Sequence, residues 1–169
     1  MVFTHVKRTS KRSSPTGGLA NGIPKKIRAA LEKVVNLSCG GFITVEETEA
    51  CVVIDVNTGN NVNSHSYRET VLNTNLEAAA AIIDQIVLRN LSGIIIIDFI
   101  DMTKQEDKSA LMAALLQEAK RDRTNPEIIG MSQLGIVQMA RPKRRLPLSH
   151  ILEENCPHCG GKGKVRAHV

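Results

Sequence analysis

The chain has 169 residues, of which 42% are hydrophobic and 23% charged, and its formal net charge is +5. This length and composition fit one compact globular domain with small appendages, and no apolar run approaches the roughly 20 residues of a membrane span. The positive charge permits a polyanionic partner. An aromatic content of only 2% argues against base stacking as the main mode of any nucleic-acid binding.

The two ends of the chain differ in composition from its middle. Residues 1–22 are basic and rich in Ser, Thr and Gly, which predicts a flexible arm, while residues 23–140 predict one α/β domain and residues 141–169 a basic linker with a cysteine-containing tail. The arm lacks the apolar segment of a secretory signal, and the few cysteines suit a reducing compartment. We therefore expect a cytoplasmic protein, with an organelle stroma or matrix as the alternative.

The sequence is organised around a run of four isoleucines at residues 94–97, which follows Gly93 and ends in Asp98. Such a run predicts a strand buried on both faces. A second strand, at residues 51–54, ends in the same way, in Asp55-Val56-Asn57. A carboxylate at the tip of a buried strand points to a site at the carboxyl end of the sheet.

The periodicity of the rest of the chain predicts a mixed sheet with crossover helices. In order we expect a helix at 24–36, a hairpin of strands 42–45 and 50–54, a helix at 73–88, the strand at 94–97, a helix at 104–120 and strands at 127–131 and 135–139. In the helix at 73–88 the expected buried stripe is Leu76, Ala79, Ala80, Ile83, Ile86 and Val87; in the helix at 104–120 it is Leu111, Leu115 and Ala119.

The strand–helix–strand order makes the strands that end in Asp55 and Asp98 parallel, so their carboxyl ends share an edge. Two neighbouring carboxylates repel each other unless a cation lies between them, and oxygen ligands suit Mg²⁺ or Mn²⁺. Asn57 would point to the same side as Asp55. The alternative is that both aspartates only cap turns and helix starts, as Asp101 also could.

The tail contains a Cys-x-x-Cys pair, Cys156 and Cys159, followed by glycines, which is typical of a zinc knuckle. A structural zinc needs four ligands, so either Cys39 and Cys51 complete the site within one chain or a second copy supplies the same pair. A redox role for the pair is a weaker alternative, because the motif does not begin a helix after a strand.

Seven short blocks carry a family resemblance that spans about residues 23–166. They lie at residues 48–50, 54–59 (IDVNTG), 69–70, 73–78 (NTNLEA), 88–93 (LRNLSG), 97–102 (IDFIDM) and 156–163 (CPHCGGKG), and the pair Asp122-Arg123 ahead of the last strands matches as well. Together these blocks resemble the ribonuclease E/G family, closer to its ribonuclease G branch. In that family the matching segment is a DNase I-like catalytic subdomain followed by a zinc link.

The resemblance implies roles for individual residues. Asp55 and Asp98 would be the catalytic carboxylates that bind Mg²⁺ (or Mn²⁺), with Asn57 assisting, and Cys156 and Cys159 would share Zn²⁺ with the same pair of a second chain in a homodimer. The family's S1 domain, RNase H-like portion and 5′-monophosphate pocket would precede this segment, where only about 22 residues stand. We therefore expect no sensor for the RNA 5′ end in this chain.

The leading hypothesis is a Mg²⁺-dependent endoribonuclease core for RNA processing or decay, which cleaves single-stranded RNA and leaves a 5′-phosphate on the downstream product. The alternative is a non-catalytic RNA-binding or zinc-linked assembly module; a chaperone-type zinc module ranks last, because the knuckle occurs once. In either case we expect basic residues to contact RNA phosphates weakly and without sequence preference. The candidates are Lys7, Arg8, Lys11 and Arg12 in the arm, Arg123, and Arg141, Lys143, Arg144 and Arg145 in the linker.

Overall fold

The structure is a computed structural model, and it describes residues 27–59, 67–161 and 163–164. Six strands form one sheet in the order β1-β2-β3-β4-β6-β5. The strands are β1 (Val34–Asn36), β2 (Phe42–Glu47), β3 (Val52–Asn57), β4 (Gly93–Asp98), β5 (Glu127–Met131) and β6 (Ile136–Arg141), and the helices are α1 (Tyr67–Arg89), α2 (Gln105–Ala119) and α3 (Leu148–Leu152). The predicted basic arm lies outside the described residues.

The sheet is mixed, because β3 and β4 are parallel and every other neighbouring pair is antiparallel. Helix α1 makes the crossover that two parallel neighbours require. The predicted α/β class, the hairpin of β2 and β3 and the parallel pair are therefore confirmed, and the architecture is consistent with the expected DNase I-like subdomain.

Among the described residues, α1 and α2 cover one face of the sheet and no helix packs on the other, which we call the open face. Along β3 and β4 the covered face carries fully buried isoleucines such as Ile54, Ile95 and Ile97, while Ile94 on the opposite face is 57% exposed. The prediction that the isoleucine strand is buried on both faces is therefore wrong. Because the run of isoleucines does not alternate with polar residues, its pattern does not indicate that only one face is covered.

Helix α1 packs on the covered face with a stripe that is rotated from the predicted one. Ala79, Ile83 and Ile86 are buried as expected, but Leu76 and Ala80 are only half-buried and Val87 is 45% exposed. The other buried residues of the helix are Val71, Thr74, Asn75, Ala78, Ile82 and Arg89. By length and composition alone α1 could cross a membrane, yet 44% of its most apolar 18-residue stretch is buried inside the domain, as in a core helix. In α2, the buried positions Leu111, Leu115 and Ala119 agree with the prediction.

The prediction of a helix at residues 24–36 is wrong in its second half. Residues 27–29 are helical, but Val34–Asn36 is strand β1, which pairs antiparallel with residues 42–44 of β2. The apolar spacing at Ile27, Leu31, Val34 and Val35 fits a helix, but pairing with the edge of the sheet overrides this weak local preference.

Candidate active site at the carboxyl edge of the parallel strands

Asp55 and Asp98 are direct cross-strand neighbours in the parallel pair of β3 and β4. Their strands lie about 4.8 Å apart, which is the ordinary spacing in a sheet. The same register continues outward, with Thr44 of β2 opposite Asp55 and Ile136 of β6 opposite Asp98. Because these positions alternate with the buried ones, all four side chains lie on the open face of the sheet, with the two carboxylates in the middle of the row.

The pKa of Asp98 is raised above its ordinary value, first by burial and then by the negative charges of Asp55 and Asp101. Asp98 is exposed at the end of β4, with Ile136 opposite it on β6 and the half-buried Ile96 two residues before it on the same face. Asp98 therefore combines partial desolvation with like-charge repulsion, and a bound cation would relieve the repulsion.

Asn57 lies beside Asp55, as the spacing of the two residues predicts. The Nδ2 group of Asn57 donates a hydrogen bond of 2.6 Å to Oδ2 of Asp55, so the amide orients one oxygen of that carboxylate. The backbone of Asn57 is in turn confined by Gly41, since a Cβ atom on Gly41 would lie only 2.7 Å from the carbonyl oxygen of Asn57.

Asp101 follows β4 and faces the turn between β5 and β6. Its Oδ1 would lie 3.4 Å from a Cβ atom on Gly135, and its charge acts on Asp98. Asp101 does not cap α2, because the N-cap position belongs to Lys104. Its place beside Asp98 makes it a third carboxylate at the same edge.

The N-termini of α1 and α2 are tied together by a paired salt bridge. Arg68 donates from Nε and from a terminal nitrogen to the two oxygens of Asp107, at 2.7 Å each. Hydrogen bonding to Arg68 lowers the pKa of Asp107. The two helices that follow β3 and precede β5 are thus joined where both begin, close to the carboxylate edge.

Oxygen donors from Asp55 and Asp98, with the amide of Asn57 alongside, are the ligand chemistry that Mg²⁺ and Mn²⁺ favour. Within the described part of the chain, no three His, Cys, Asp or Glu side chains form a group that could hold a metal. Two carboxylates and one amide would suit a cation that takes a few protein ligands and leaves its other positions to water or phosphate oxygens, which is how Mg²⁺ is commonly bound.

The predicted RNA-binding residues do not lie at this edge. Strand β6 runs antiparallel to β4, with Gly93 opposite Arg141, so Lys143, Arg144 and Arg145 emerge at the amino end of β4. The turn that contains Arg123 precedes β5 and belongs to the same end of the sheet. The six residues of β4 separate these cations from Asp98 by about 16 Å.

Lys143, Arg144 and Arg145 line a groove of about 970 Å³, together with the tip of the β2–β3 hairpin and His150. All three basic residues are exposed, and the groove also contains the carboxylates of Glu47 and Glu49. Its charge is therefore mixed, with an excess of positive groups along one wall.

Arg141 differs from the other predicted RNA-binding residues. It is the last residue of β6 and not part of a linker, and its side chain is only 4% exposed. Its guanidinium donates to Asp122 at 2.6 Å and to the carbonyl oxygen of Leu91 at 2.8 Å. This arginine is engaged in the interior, so RNA has no access to its charged group.

Cys156 and Cys159 lie in a tight turn in which the N–H of Gly160 donates to the carbonyl oxygen of Cys156 at 2.8 Å. The N–H groups of Cys159 and His158 point to the sulfur of Cys156 and lower its pKa, which favours the thiolate that binds metal. In the described residues the four cysteines do not form a common metal-binding group, so the arrangement within one chain that would use Cys39 and Cys51 is not present.

Two residues of this region were missed by reasoning from the sequence. Thr44 lies beside Asp55 on the same face of the sheet. The available signal was its position between the apolar residues Ile43 and Val45, which places Thr44 on the opposite face from them. Asn75 is completely buried in α1 and bonds to the backbone after β4. Its signal was a polar residue within the apolar stripe of a helix.

Comparison with known proteins shows which family the sequence resembles. The model described as the Ribonuclease E/G family matches residues 6–144. The chain is 44% identical to ribonuclease G of Haemophilus influenzae over 145 residues, 86% of this chain and 30% of that protein. It is 41% identical to ribonuclease G of Escherichia coli strain K12, over 85% of this chain and 29% of that protein. It is 44% identical to ribonuclease E of Synechocystis, over 82% of this chain and 21% of that protein. The chain thus spans less than a third of the length of these relatives.

Proposed function

The chain belongs to the ribonuclease E/G family, and from this premise we propose that it is the catalytic core of a divalent-metal-dependent endoribonuclease that cleaves single-stranded RNA. The observation that carries the proposal is the pairing of Asp55 with Asp98 in register on the open face of the sheet. A carboxylate pair on a face that no described element covers has no evident packing role, and in this proposal an extended RNA chain reaches it from that face.

In this proposal Asp55 and Asp98 hold one Mg²⁺ or Mn²⁺ ion, and Asn57 fixes the orientation of Asp55. When bound, such an ion neutralises phosphate charge and lowers the pKa of water. In this proposal the scissile phosphate approaches from the open face, on which Asp55 and Asp98 lie with Ile136 opposite Asp98. Hydrolysis leaves the 5′-phosphate on the downstream product.

In this proposal the groove lined by Lys143, Arg144 and Arg145, called the basic groove from here on, binds RNA phosphates away from the site of cleavage. We assign phosphate contacts to Lys143, Arg144 and Arg145 and, at the same end of the sheet, to Arg123, while the buried Arg141 is left out. RNA that reaches both the groove and the carboxylates must extend along the sheet for about 16 Å, the length of β4. We further propose that Cys156 and Cys159 share a zinc ion with a second copy, and that the protein works in the cytoplasm, where thiols stay reduced.

Cleavage of a fluorescent single-stranded RNA tests the proposal most simply. We expect cleavage with Mg²⁺ or Mn²⁺, none with a chelator, and none of a DNA of the same sequence. Asp55→Asn and Asp98→Asn should each abolish cleavage while the far-ultraviolet circular dichroism spectrum stays unchanged. The matched control is Asp84→Asn, which removes one exposed carboxylate from α1 that pairs with Arg121 and should leave the rate unchanged.

The same assay separates the second candidate, an RNA-binding or assembly module without catalysis, which the basic groove favours. RNA retained by the wild-type chain at low salt but never cut would support that candidate and contradict the nuclease. Equal cleavage by wild type and Asp98→Asn would place the chemistry elsewhere on the chain.

A further inference from the structure

Asn75 joins α1 to the segment that follows β4 through two reciprocal hydrogen bonds. Its Nδ2 group donates to the carbonyl oxygen of Ile100 at 2.9 Å, and the N–H of Ile100 donates to Oδ1 of Asn75 at 3.1 Å. The side-chain amide thus pairs with the backbone of Ile100 as a neighbouring strand would. Both polar atoms of this buried side chain are hydrogen-bonded, because Nδ2 has an acceptor and Oδ1 has a donor.

Ile100 stands between two of the carboxylates at the candidate active site, two residues after Asp98 and one before Asp101. Strand β4 ends at Asp98, and no strand in the described part of the chain pairs with the backbone of residues 99–104. The flanking side chains Phe99 and Met102 are buried, 3% and 8% exposed, and anchor the segment by packing. Packing of Phe99 and Met102 holds the segment against the core, whereas the paired hydrogen bonds to Asn75 orient the peptide groups of Ile100.

The neighbours of Asn75 on α1 contact the β1–β2 turn, which lies against Asn57. Thr74 Cγ2 lies 2.8 Å from where a Cβ atom on Gly41 would be, and Gly41 in turn lies against the carbonyl oxygen of Asn57. Glu77 accepts hydrogen bonds from the N–H groups of Ser38 and Cys39 in the turn before Gly41. Residues 74–77 of one helix therefore contact both the segment after Asp98 and the turn that confines Asn57.

From this arrangement we infer that Asn75 is a positioning residue for the proposed metal site. Through Ile100 it fixes the backbone on which Asp98 and Asp101 stand relative to Asp55 and Asn57. It touches neither substrate nor metal. The inference rests on the proposed function for its metal site, but the contact itself is a property of the chain and has its own test.

Three full-length variants and one control separate positioning from stability. Asn75→Asp keeps the size of the side chain and the acceptor for Ile100 but loses the donor, Asn75→Ser shortens the side chain, and Asn75→Ala removes both bonds. Ile86→Val is the control, because Ile86 is a fully buried residue of the same helix about 16 Å away along its axis. It loses core packing without any contact at the site.

The readout is an NMR titration with Mn²⁺, in which a bound ion broadens the amide signals of Asp55 and Asp98. We expect the Asn75 variants to need about ten times more Mn²⁺ or higher for half-maximal broadening, the loss typical when a residue that orients a metal ligand is removed. Ile86→Val should titrate like wild type even where its loss of stability is similar. Folded Asn75 variants that bind Mn²⁺ as wild type does would overturn the inference.

Hydrogen exchange on the wild-type chain keeps the inference testable should the variants not fold. The Ile100 amide should exchange much more slowly than that of Thr103, an exposed residue in the same segment. Equal exchange rates would show that the Asn75 contact is absent and would overturn the inference. A wild-type chain that has a protected Ile100 but shows no broadening at Asp55 and Asp98 would instead contradict the proposed metal site.

Discussion

At the scale of single residues, one deeply buried ion pair is structural and lies away from the candidate site. Asp122 and Arg141 form a salt bridge with both side chains 4% exposed. The remaining donors of the guanidinium are used by Leu91 O and Asn90 Oδ1, and Thr124 bonds to the carboxylate. With these partners the pair fastens β6 to the turns after α1 and α2, which keeps the strand next to β4 in place.

Asp122→Asn should destabilise the protein at neutral pH, by about 3–5 kcal/mol if the arginine is left as an uncompensated buried charge. Burial opposes ionisation of Asp122, but the hydrogen bonds from Arg141 and Thr124 outweigh it, so its folded pKa is below the ordinary 3.8. A lowered carboxyl pKa contributes stability that is complete above the unfolded pKa and disappears as pH falls through the folded pKa. Urea unfolding of wild type and variant should therefore differ at pH 7 and converge in strong acid. A difference that does not change with pH would contradict the ionised pair.

At the scale of elements, the site depends on close backbone contact between the β1–β2 turn and the end of β3. Gly40, Gly41 and Gly59 make this possible: a Cβ atom on Gly59 would lie 2.4 Å from the carbonyl oxygen of Gly40, and Gly59 has a φ of +63°. A side chain at either Gly41 or Gly59 would push the turn away from Asn57.

Gly41→Ala should therefore lower the cleavage rate and destabilise the fold by about 1–3 kcal/mol, the usual cost of overpacking. The reason is that its nearest neighbour is a backbone oxygen, which cannot rotate away. Val45→Ala is the comparison, because it weakens β2, the strand that follows this turn, through a buried residue on the covered face. Both variants should unfold at lower temperature, but only Gly41→Ala should lose activity beyond the unfolded fraction. Equal activity in the two variants, after correction for the unfolded fraction, would show that displacing the β1–β2 turn from Asn57 does not affect cleavage.

Most elements were predictable from the sequence because their patterns are local. The strand-end aspartates, the crossover order and the inward residues of α2 required only periodicity and the parallel-strand rule. The short strand β1 and the face exposed by Ile94 were not predictable, since both depend on what else covers the sheet. Arg141 was misjudged because a basic run in sequence does not show that its first member ends a strand and pairs with Asp122.

At the scale of the whole molecule, the candidate catalytic carboxylates and the candidate RNA-binding groove lie at opposite ends of one sheet. The carboxylates lie at the carboxyl ends of β3 and β4, and the basic groove lies at their amino ends. The groove is contacted by the cysteine-containing tail, since Gly160 and Gly161 form part of its lining. RNA binding and assembly are therefore expected to influence each other more than either influences the chemistry.

Replacing Lys143, Arg144 and Arg145 together by Gln should weaken RNA binding and flatten its dependence on salt. Each phosphate contact to single-stranded RNA contributes about 0.7 to the slope of log affinity against log salt concentration, so three lost contacts should reduce the slope by about 2. Arg121→Gln is the control, because this exposed arginine already pairs with Asp84 and Glu118. Fluorescence anisotropy at several salt concentrations measures the slope. An unchanged slope would remove the groove from the binding surface.

The proposed zinc link predicts one zinc ion for two chains. Two thiolates meet only half of the tetrahedral preference of zinc, and a two-fold axis through the metal would bring the same pair from a second copy. Cys156→Ser should give a zinc-free monomer that retains its sheet. Light scattering with zinc analysis decides the matter, since a monomer with one zinc or a zinc-free wild-type dimer would contradict a shared site.

The central claim is that Asp55 and Asp98 together hold one divalent ion at the edge of the parallel strands. The most direct measurement is the Mn²⁺ titration by NMR, applied to wild type, Asp55→Asn and Asp98→Asn. We predict that Mn²⁺ broadens the amide signals of residues 55 and 98 in wild type, and that neither single variant shows this broadening at the same concentration, because one carboxylate leaves the ion without its second ligand. Broadening in either variant at the wild-type concentration would contradict a shared ion and, with it, the proposed active site.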